Sequence, residues 1–290
     1  VQYIFHKTTL KQNVAEKVLD KINYRNRKLF FMNFSVVINT YNAETYLRKV
    51  LDSVKEVDEI VICDMHSTDT TIAIAKEYNC KIVYFDESGE NIGICEPARN
   101  LAIQSATNQW VLLLDADEIA PKSLLNYCNA HLQKVNPEEG IFIPRKNFLH
   151  GVFMHASYPD YIMRFFRKDA CDWPPTMHSI PKIDGNTIKI PKKNKDRAII
   201  HLDDQSIHER IEKLNRYASN DVKRMKQAGR RFSRTALLLR MTFFFVKFYL
   251  IKGGFRDGKM GLVYSLLHSF YRFIAIAKVW EQEITNNQNL

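Results

Sequence analysis

The sequence predicts an α/β fold, a mostly parallel sheet with helices on both faces. Three observations predict it. Short apolar runs recur at residues 34–39 (FSVVIN), 59–63 (EIVIC), 80–85 (CKIVYF) and 110–114 (WVLLL), with the length and aliphatic content of strands buried on both faces. Segments with apolar residues at helical spacing stand between them, and that alternation builds parallel sheets. Two of the strands run straight into carboxylates, Asp64 and the Asp115-Ala116-Asp117-Glu118 cluster. Both sets of acids are thereby expected at the C-terminal strand edge, where open α/β sheets hold ligands.

The turn formers Asn39 and Asn42 close the first strand, and residues 44–57 follow as a helix burying Leu47, Val50, Leu51 and Val54. After the second strand, HSTDT at 66–70 reads as a loop entering a helix, with Ser67 or Thr68 as the cap. Residues 96–106 form the next helix, with Pro97 near its start, where a missing N–H costs little. Beyond Pro121 a helix runs to residue 133, and 140–144 (GIFIP) resumes as a strand. Residues 145–160 read as a loop-rich aromatic stretch, and 161–167 (YIMRFFR) has high β propensity. A loop at 173–178 ends at His178, 199–201 is a short strand, and 207–226 is a basic helix with Ile211, Leu214 and Tyr217/Ala218 as its buried stripe.

From residue 232 the composition changes. Residues 236–251 are rich in Leu and Phe but interrupted by Arg240 and Lys247, seven apart on nearly one helical face. With no long charge-free stretch, a spanning helix is not expected, and a helix lying in a membrane interface is. A core helix or a dimer partner is the alternative. Gly253-Gly254 breaks this helix, 262–280 is a second amphipathic one, and the tail from Thr285 is expected to fray. The expected organisation is a lead-in at 1–32, a main domain at 33–231 with halves 33–120 and 121–231, and a basic aromatic extension at 232–290.

The 46% hydrophobic content excludes disorder as an overall description. Five scattered cysteines without a CxxC argue for reduced thiols in a cytosolic setting. The net charge of +10 fits an anionic partner, but no helix-turn-helix, finger or RNA-binding signature accompanies it, so nucleic acid is not the expected one. Neither GxGxxG nor GxxxxGK[ST] follows the first strand, so a nucleotide here is held differently from NAD or from ATP in a P-loop. The residues 1–10 lack the apolar core of a signal peptide, and without an initial Met the true start is left open.

Six stretches carry a resemblance: SVVINTYNAETYL, EIVICDMHSTDTTIAIAKEY, EPARNLAIQSATNQWVLLLDADE, IPRKN, YPDYIMRFFRK and GGFRDGKMGLVYSLLHSFYRFIAIAKVWE. In this order, over roughly residues 34–281, they resemble glycosyltransferase family 2 of the GT-A (Rossmann-like) fold. The resemblance is strongest to the bacterial branch that extends lipopolysaccharide core and other surface glycans. It implies an inverting, metal-dependent transferase using a nucleotide sugar, a UDP-sugar or a relative of it. The acceptor implied is lipid-linked or a surface glycan, met at the cytoplasmic face of the inner membrane, with a homodimer as a further possibility for the C-terminal helices.

What the resemblance implies for single residues is specific. Thr40, Tyr41, Asn42 and Glu44 would cradle the base and ribose, and Asp64 would accept from the base. Arg99 would lie near the sugar or phosphates. Asp115 and Asp117, flanking Ala116, would hold Mg²⁺ or Mn²⁺ against the diphosphate, with His178, ahead of His201, completing the metal shell. Asp160 would take the proton from the attacking hydroxyl, although Pro159 replaces the first acid of the pair many relatives have. Glu118 reads as an orienting residue or a solvated one. Arg164 and Arg167 read as partners for an anion, with an outer ion pair the safer reading for Arg167. The processive QxxRW motif is absent, so one or a few sugars per acceptor is expected. The rival readings are sugar nucleotidyl transfer, which wants a Gly-rich basic loop after the first strand, and a non-enzymatic protein that binds nucleic acid or a partner through 197–234.

Overall fold

The computed structural model describes residues 32–86, 95–174 and 180–288. All of the expected lead-in at 1–32 except Met32, the residues 87–94 and His178 lie outside the described residues. The strands are β1 (Met32–Thr40), β2 (Val57–Asp64), β3 (Lys81–Tyr84), β4 (Trp110–Asp115), β5 (Glu118–Ile119) and β6 (Gly140–Leu149). They continue with β7 (Val152–Phe153), β8 (Asp160–Arg167), β9 (Cys171–Asp172), β10 (Lys182–Ile183), β11 (Thr187–Lys189) and β12 (Ile199–Asp203). The helices are α1 (Glu44–Val54), α2 (Thr71–Glu77), α3 (Glu96–Ser105), α4 (Lys122–His131), α5 (Ile207–Gln227), α6 (Arg234–Val246) and α7 (Gly258–Gln288). This is an α/β, Rossmann-like fold of mixed but mostly parallel strands, flanked by helices and ending in a long C-terminal helix.

The chain forms two compact units. The first comprises 1–116, Lys122–Ile141 and Met163–Ile188, and the second Asp117–Pro121, Phe142–Ile162 and Lys189–Leu290. In the first, β3, β2, β1 and β4 are parallel neighbours, and the end of β8 joins β4 antiparallel through Leu112↔Phe165. Phe34, Val36, Val37 and Ile38 of β1 and Val111 to Leu114 of β4 are wholly buried, as unbroken aliphatic runs require of a sheet covered on both faces. Leu47, Val50, Leu51 and Val54 recur at helical spacing and close α1 onto the core.

In the second unit β12 pairs parallel with β6 and antiparallel with β5, and β7 folds back on β6. The C-terminal helices belong to this unit. Ser269 Oγ of α7 donates to the Met241 carbonyl of α6 (2.8 Å), and Tyr271 donates to Asp221 of α5 (2.5 Å).

Several expectations change. The segment after Pro144 is not a loop: β6 continues to Leu149 and turns into β7. Arg145, Lys146 and Asn147 hide a strand because polar residues interrupt its pattern, while the fold gives Arg145 carboxylate partners. The first helix stops at Val54, because Val57 already belongs to β2. Neither Ser67 nor Thr68 caps α2. Its N-cap position is Thr70, and its first N–H groups are met by Asp69 and Glu44. On α5, Ile211 is exposed, and Ala218 and Val222 are the buried residues. The last helix does not stop near 280 but runs to Gln288. Residues Gly254–Thr285 are long and apolar enough to cross a membrane, which the charge-interrupted reading did not anticipate.

Candidate active site

In the first unit the parallel register brings strand-end polar residues level. Thr40 pairs with Asp64, and Asn39 pairs with Asp115, at the C-terminal ends of β1, β2 and β4. Asp64 and Asp115 therefore share one sheet edge, as the two carboxylate-ended runs predict. The Asp64 carboxylate is buried and fully engaged: Oδ1 accepts from Thr40 Oγ1 (2.7 Å) and Ser67 Oγ (2.6 Å), and Oδ2 from Ser67 N (2.8 Å).

The two loops leaving this edge lock together. Thr68 N donates to Asn42 Oδ1 (2.8 Å), Glu44 N to Asp69 Oδ2 (3.1 Å), and Thr70 Oγ1 to Glu44 Oε2 (2.7 Å). Each loop thus supplies acceptors for the first N–H groups of the other's helix. Thr40, Asn42, Glu44 and Asp64 are committed to this lacing. Tyr41 is not, and it stands 61% exposed.

Asp115 is bracketed by two arginines. Oδ1 accepts from Arg99 Nη2 of α3 (2.7 Å) and Oδ2 from Arg164 Nη2 of β8 (2.5 Å). Arg99 also lies over the Trp173 ring, 5.5 Å from its centroid, which fixes its plane. Arg164 is only 5% exposed, so Asp115 supplies countercharge to a buried cation. Arg167 pairs with Asp169 at the surface (2.7 Å), the outer ion pair the sequence favours.

The second unit holds a longer polar chain. Arg145 Nη1 donates to buried Glu118 Oε1 (2.9 Å), and its Nε and Nη2 donate to Asp160 Oδ2 (3.0 and 2.7 Å). Burial opposes the Arg145 charge, but Glu118 and Asp160 outweigh it and raise the guanidinium pKa. Glu118 is therefore a buried partner of Arg145 and not a solvated residue. Asn147 Nδ2 donates to Asp160 Oδ2 as well (3.3 Å), and its Oδ1 lies 2.8 Å from His201 Nδ1. His201 Nε2 is 3.4 Å from Asp117 Oδ2. Burial lowers the His201 pKa, yet the hydrogen bond and charge of Asp117 more than compensate and hold it above the ordinary histidine value. From α7, Tyr264 belongs to the same surroundings: burial first, then the charge of Asp160, pushes its pKa to about 12.

Among the described residues no three His, Cys, Asp or Glu side chains form a ready metal cage. Asp117 nevertheless suits a hard cation, because its Oδ1 is buried with no hydrogen-bond partner. A carboxylate oxygen in that condition is costly unless a positive charge meets it. Among the described residues His201 is the histidine that meets Asp117. Ala116 lies in the turn between β4 and β5.

Sequence reasoning singled out Asp64, Arg99, Asp115, Asp117, Asp160 and Arg164, and the structure gives each a polar partner set or an unmet oxygen. It missed Arg145 and Asn147, although both sit in the IPRKN stretch, because that stretch reads as the start of a loop. It also passed over His155 and Asp257, whose Nδ1 and Oδ1 lie 2.5 Å apart, because FMHAS and GGFRDG read as turns.

Comparison with known proteins finds an uncharacterized glycosyltransferase of Rickettsia conorii, 26% identical over 264 residues, covering 86% of this chain and 90% of the relative. The lipopolysaccharide core biosynthesis glycosyltransferase LpsC of Rhizobium meliloti is 24% identical over 261 residues, covering 86% and 92%. Among solved structures, residues 1–349 of S. aureus TarS align with 87% of this chain and 92% of that one, at 18% identity and a TM-score of 0.40. The glycosyl transferase family 2 profile matches residues 35–183, just over half of the chain and reaching from within β1 to the end of β10, and by that match the chain belongs to glycosyl transferase family 2.

Proposed function

We propose that the chain is an inverting glycosyltransferase that moves a sugar from a UDP-sugar to a lipid-linked or lipopolysaccharide-core acceptor with the help of Mg²⁺ or Mn²⁺. The observation that carries this reading is the meeting of Thr40, Asp64 and Asp115 at one parallel strand edge in a family 2 chain. The similarity to LpsC over most of both chains supports the acceptor class.

Inverting transfer is a single displacement at the anomeric carbon, with a nucleoside diphosphate leaving. Tyr41 offers the base an exposed ring, and the laced loops of Thr40, Asn42, Glu44 and Asp64 present it. Arg99 and Arg164, organised by Asp115, supply fixed positive charge for the diphosphate. Asp117, whose Oδ1 is unmet, would hold the divalent cation, and a bound cation supplies Lewis-acid stabilisation of the departing diphosphate. On the acceptor side Asp160 takes the hydroxyl proton: its three bonds from Arg145 and Asn147 all fall on Oδ2, so Oδ1 is the oxygen left to receive it. Replacing Asp117 with Asn should remove Mn²⁺-dependent UDP binding and cut transfer about a hundredfold or more while circular dichroism stays unchanged. Full activity in that variant would sink the metal assignment.

The acceptor class agrees with the surface of the C-terminal helices, which we read as a peripheral contact with the inner membrane from its cytoplasmic side. Leu239 and Ile251 are 69% and 72% exposed, and Leu238, Phe243, Leu250 and Phe255 are exposed beside them. From Arg230 to Trp280 the only acid is Asp257, against ten Lys and Arg residues. Exposed aliphatics among cations in such excess suit an anionic bilayer better than a second copy carrying the same charge. Leu239→Ser with Ile251→Ser should at least halve the fraction pelleting with phosphatidylglycerol vesicles at low salt. Undiminished pelleting would rule this face out.

A further inference from the structure

We propose that His155 and Asp257 build an acceptor-saccharide subsite in the second unit, in which Asp257 sets the imidazole and His155 Nε2 receives a sugar hydroxyl. The proposal rests on the glycosyl-transfer reading and adds residues that it does not use.

Asp257 lies well beyond the family-matched residues, at the end of the turn Gly254–Asp257 that leads into α7. Glycine makes this turn tight. A Cβ on Gly261 would fall 1.8 Å from the Gly254 carbonyl oxygen, so only glycine lets the first turn of α7 close on it. In the closed turn the Asp257 side chain is completely shielded from solvent. A buried carboxylate demands partners, and Asp257 has an incomplete set. Oδ1 is 2.5 Å from His155 Nδ1, whereas Oδ2 is buried with no hydrogen-bond partner.

His155 opens the short turn His155–Ser157 between β7 and β8, five residues before Asp160. Met154 N donates to the Asn147 carbonyl (2.9 Å), and the Asn147 side chain reaches Asp160, so the turn is tied to the strand that holds the proposed base. The His155 ring stands edge-on to Phe153 with centroids 4.6 Å apart, and Phe153 is 5.9 Å from Tyr158.

An ionised Asp257 accepting from Nδ1–H fixes the tautomer and leaves the lone pair on Nε2. Among the described residues no partner meets Nε2, and the His155 side chain stays 30% exposed. A pair serving the fold alone would bury the ring or satisfy both carboxylate oxygens. Here a shielded acid instead braces a partly exposed imidazole that stands edge-on to Phe153, which itself meets Tyr158. Aromatic faces take the C–H side of a pyranose and Nε2 takes an O–H, the mixture of apolar wall and few polar groups typical of small-molecule sites. Asp257 is a positioning residue, since it acts through His155.

His155→Asn keeps a donor for Asp257 at the Nδ1 position and deletes Nε2. In the full chain this variant should raise the acceptor KM about tenfold, the worth of one hydrogen bond, with donor hydrolysis and thermal midpoint at wild-type values. Asp257→Asn should raise the same KM and shift the His155 imidazole ¹⁵N resonances, a tautomer readout that a merely structural role leaves unmoved. Saturation-transfer NMR with methyl glucoside, galactoside and heptoside should give a signal in the wild type that His155→Asn abolishes. An unchanged acceptor KM, or a sugar signal equal in wild type and variant or absent from both, overturns the proposal. Lack of donor turnover in the wild type would instead break the glycosyl-transfer reading, and the sugar NMR would still decide the subsite.

Discussion

Asp115 and Asp160 each stand at a strand end and each is held by arginine, but their bonds are distributed differently. Asp115 receives Arg99 on one oxygen and Arg164 on the other. Asp160 receives Arg145 twice and Asn147 once, all on Oδ2. A carboxylate with both oxygens engaged organises the cations around it, while one gripped through a single oxygen is oriented and keeps the other for chemistry. The same contrast runs through the two units. In the first, Asp64 and Asp115 are satisfied and the strand edge is preset. In the second, Asp117 and Asp257 each carry a buried oxygen without a partner. On the proposed reading the first unit binds the donor, which wants a rigid, charge-matched edge, and the second serves proton and acceptor chemistry, which wants groups with bonds still to make.

The contrast breaks most readily at Asp160. Asp160→Asn should reduce transfer by about 10²–10⁴, the usual worth of a general base, while UDP binding stays unchanged. Equal losses of donor affinity in Asp160→Asn and Asp115→Asn would show that the two acids do not divide the work. Stability should separate them in the opposite sense. Asp115→Leu removes the Asp115 carboxylate from the nearly buried Arg164 and should cost about 3 kcal/mol, as breaking a buried ion pair does. In a chain of this size that lowers the thermal midpoint by several degrees, on the order of 2–4 °C per kcal/mol. Asp160→Ala still leaves Arg145 the buried Glu118 carboxylate as countercharge, and should cost less than Asp115→Leu, about 1–2 kcal/mol. Urea midpoints of the two variants measured side by side test this directly.

Much of the first unit could be read from pattern alone. Aliphatic runs that end in acids have few other ways to fold, so the strand–helix alternation of the first unit and the shared edge of Asp64 and Asp115 follow from residue type and spacing. What escaped was whatever depends on tertiary partners. Arg145 in the interior of β6 is tolerable only because Glu118 and Asp160 meet it, and neither is near it in sequence. Ser67 has the composition of a helix cap, yet its hydroxyl and N–H both go to Asp64, and Glu44 takes over the capping from the neighbouring helix. Asp257 reads as an ordinary turn residue until the glycines around it close and bring its carboxylate to His155, 102 positions away in sequence.

The smallest expected effect concerns how far the open groups of the second unit depend on the C-terminal helices. His268 of α7 stacks on Phe248 with centroids 4.0 Å apart and meets Tyr264 edge-on at 4.4 Å. Burial, reinforced by Lys252 and Arg272, pushes its pKa down to about 4. Because the unfolded chain binds this proton near pH 6.5 and the folded chain does not, the neutral imidazole favours folding fully above pH 6.5. That advantage is lost as pH falls toward 4, and between pH 7 and pH 5 the loss amounts to about 2 kcal/mol. His268→Phe keeps the stack on Phe248 and removes the proton site. Its urea midpoint should therefore change less than the wild type's across that range, and amide exchange in α7 should no longer quicken at pH 5 beyond the intrinsic rate. Identical pH profiles for variant and wild type would show that the imidazole is not held neutral, and that the helical layer facing Asp160 does not weaken through His268.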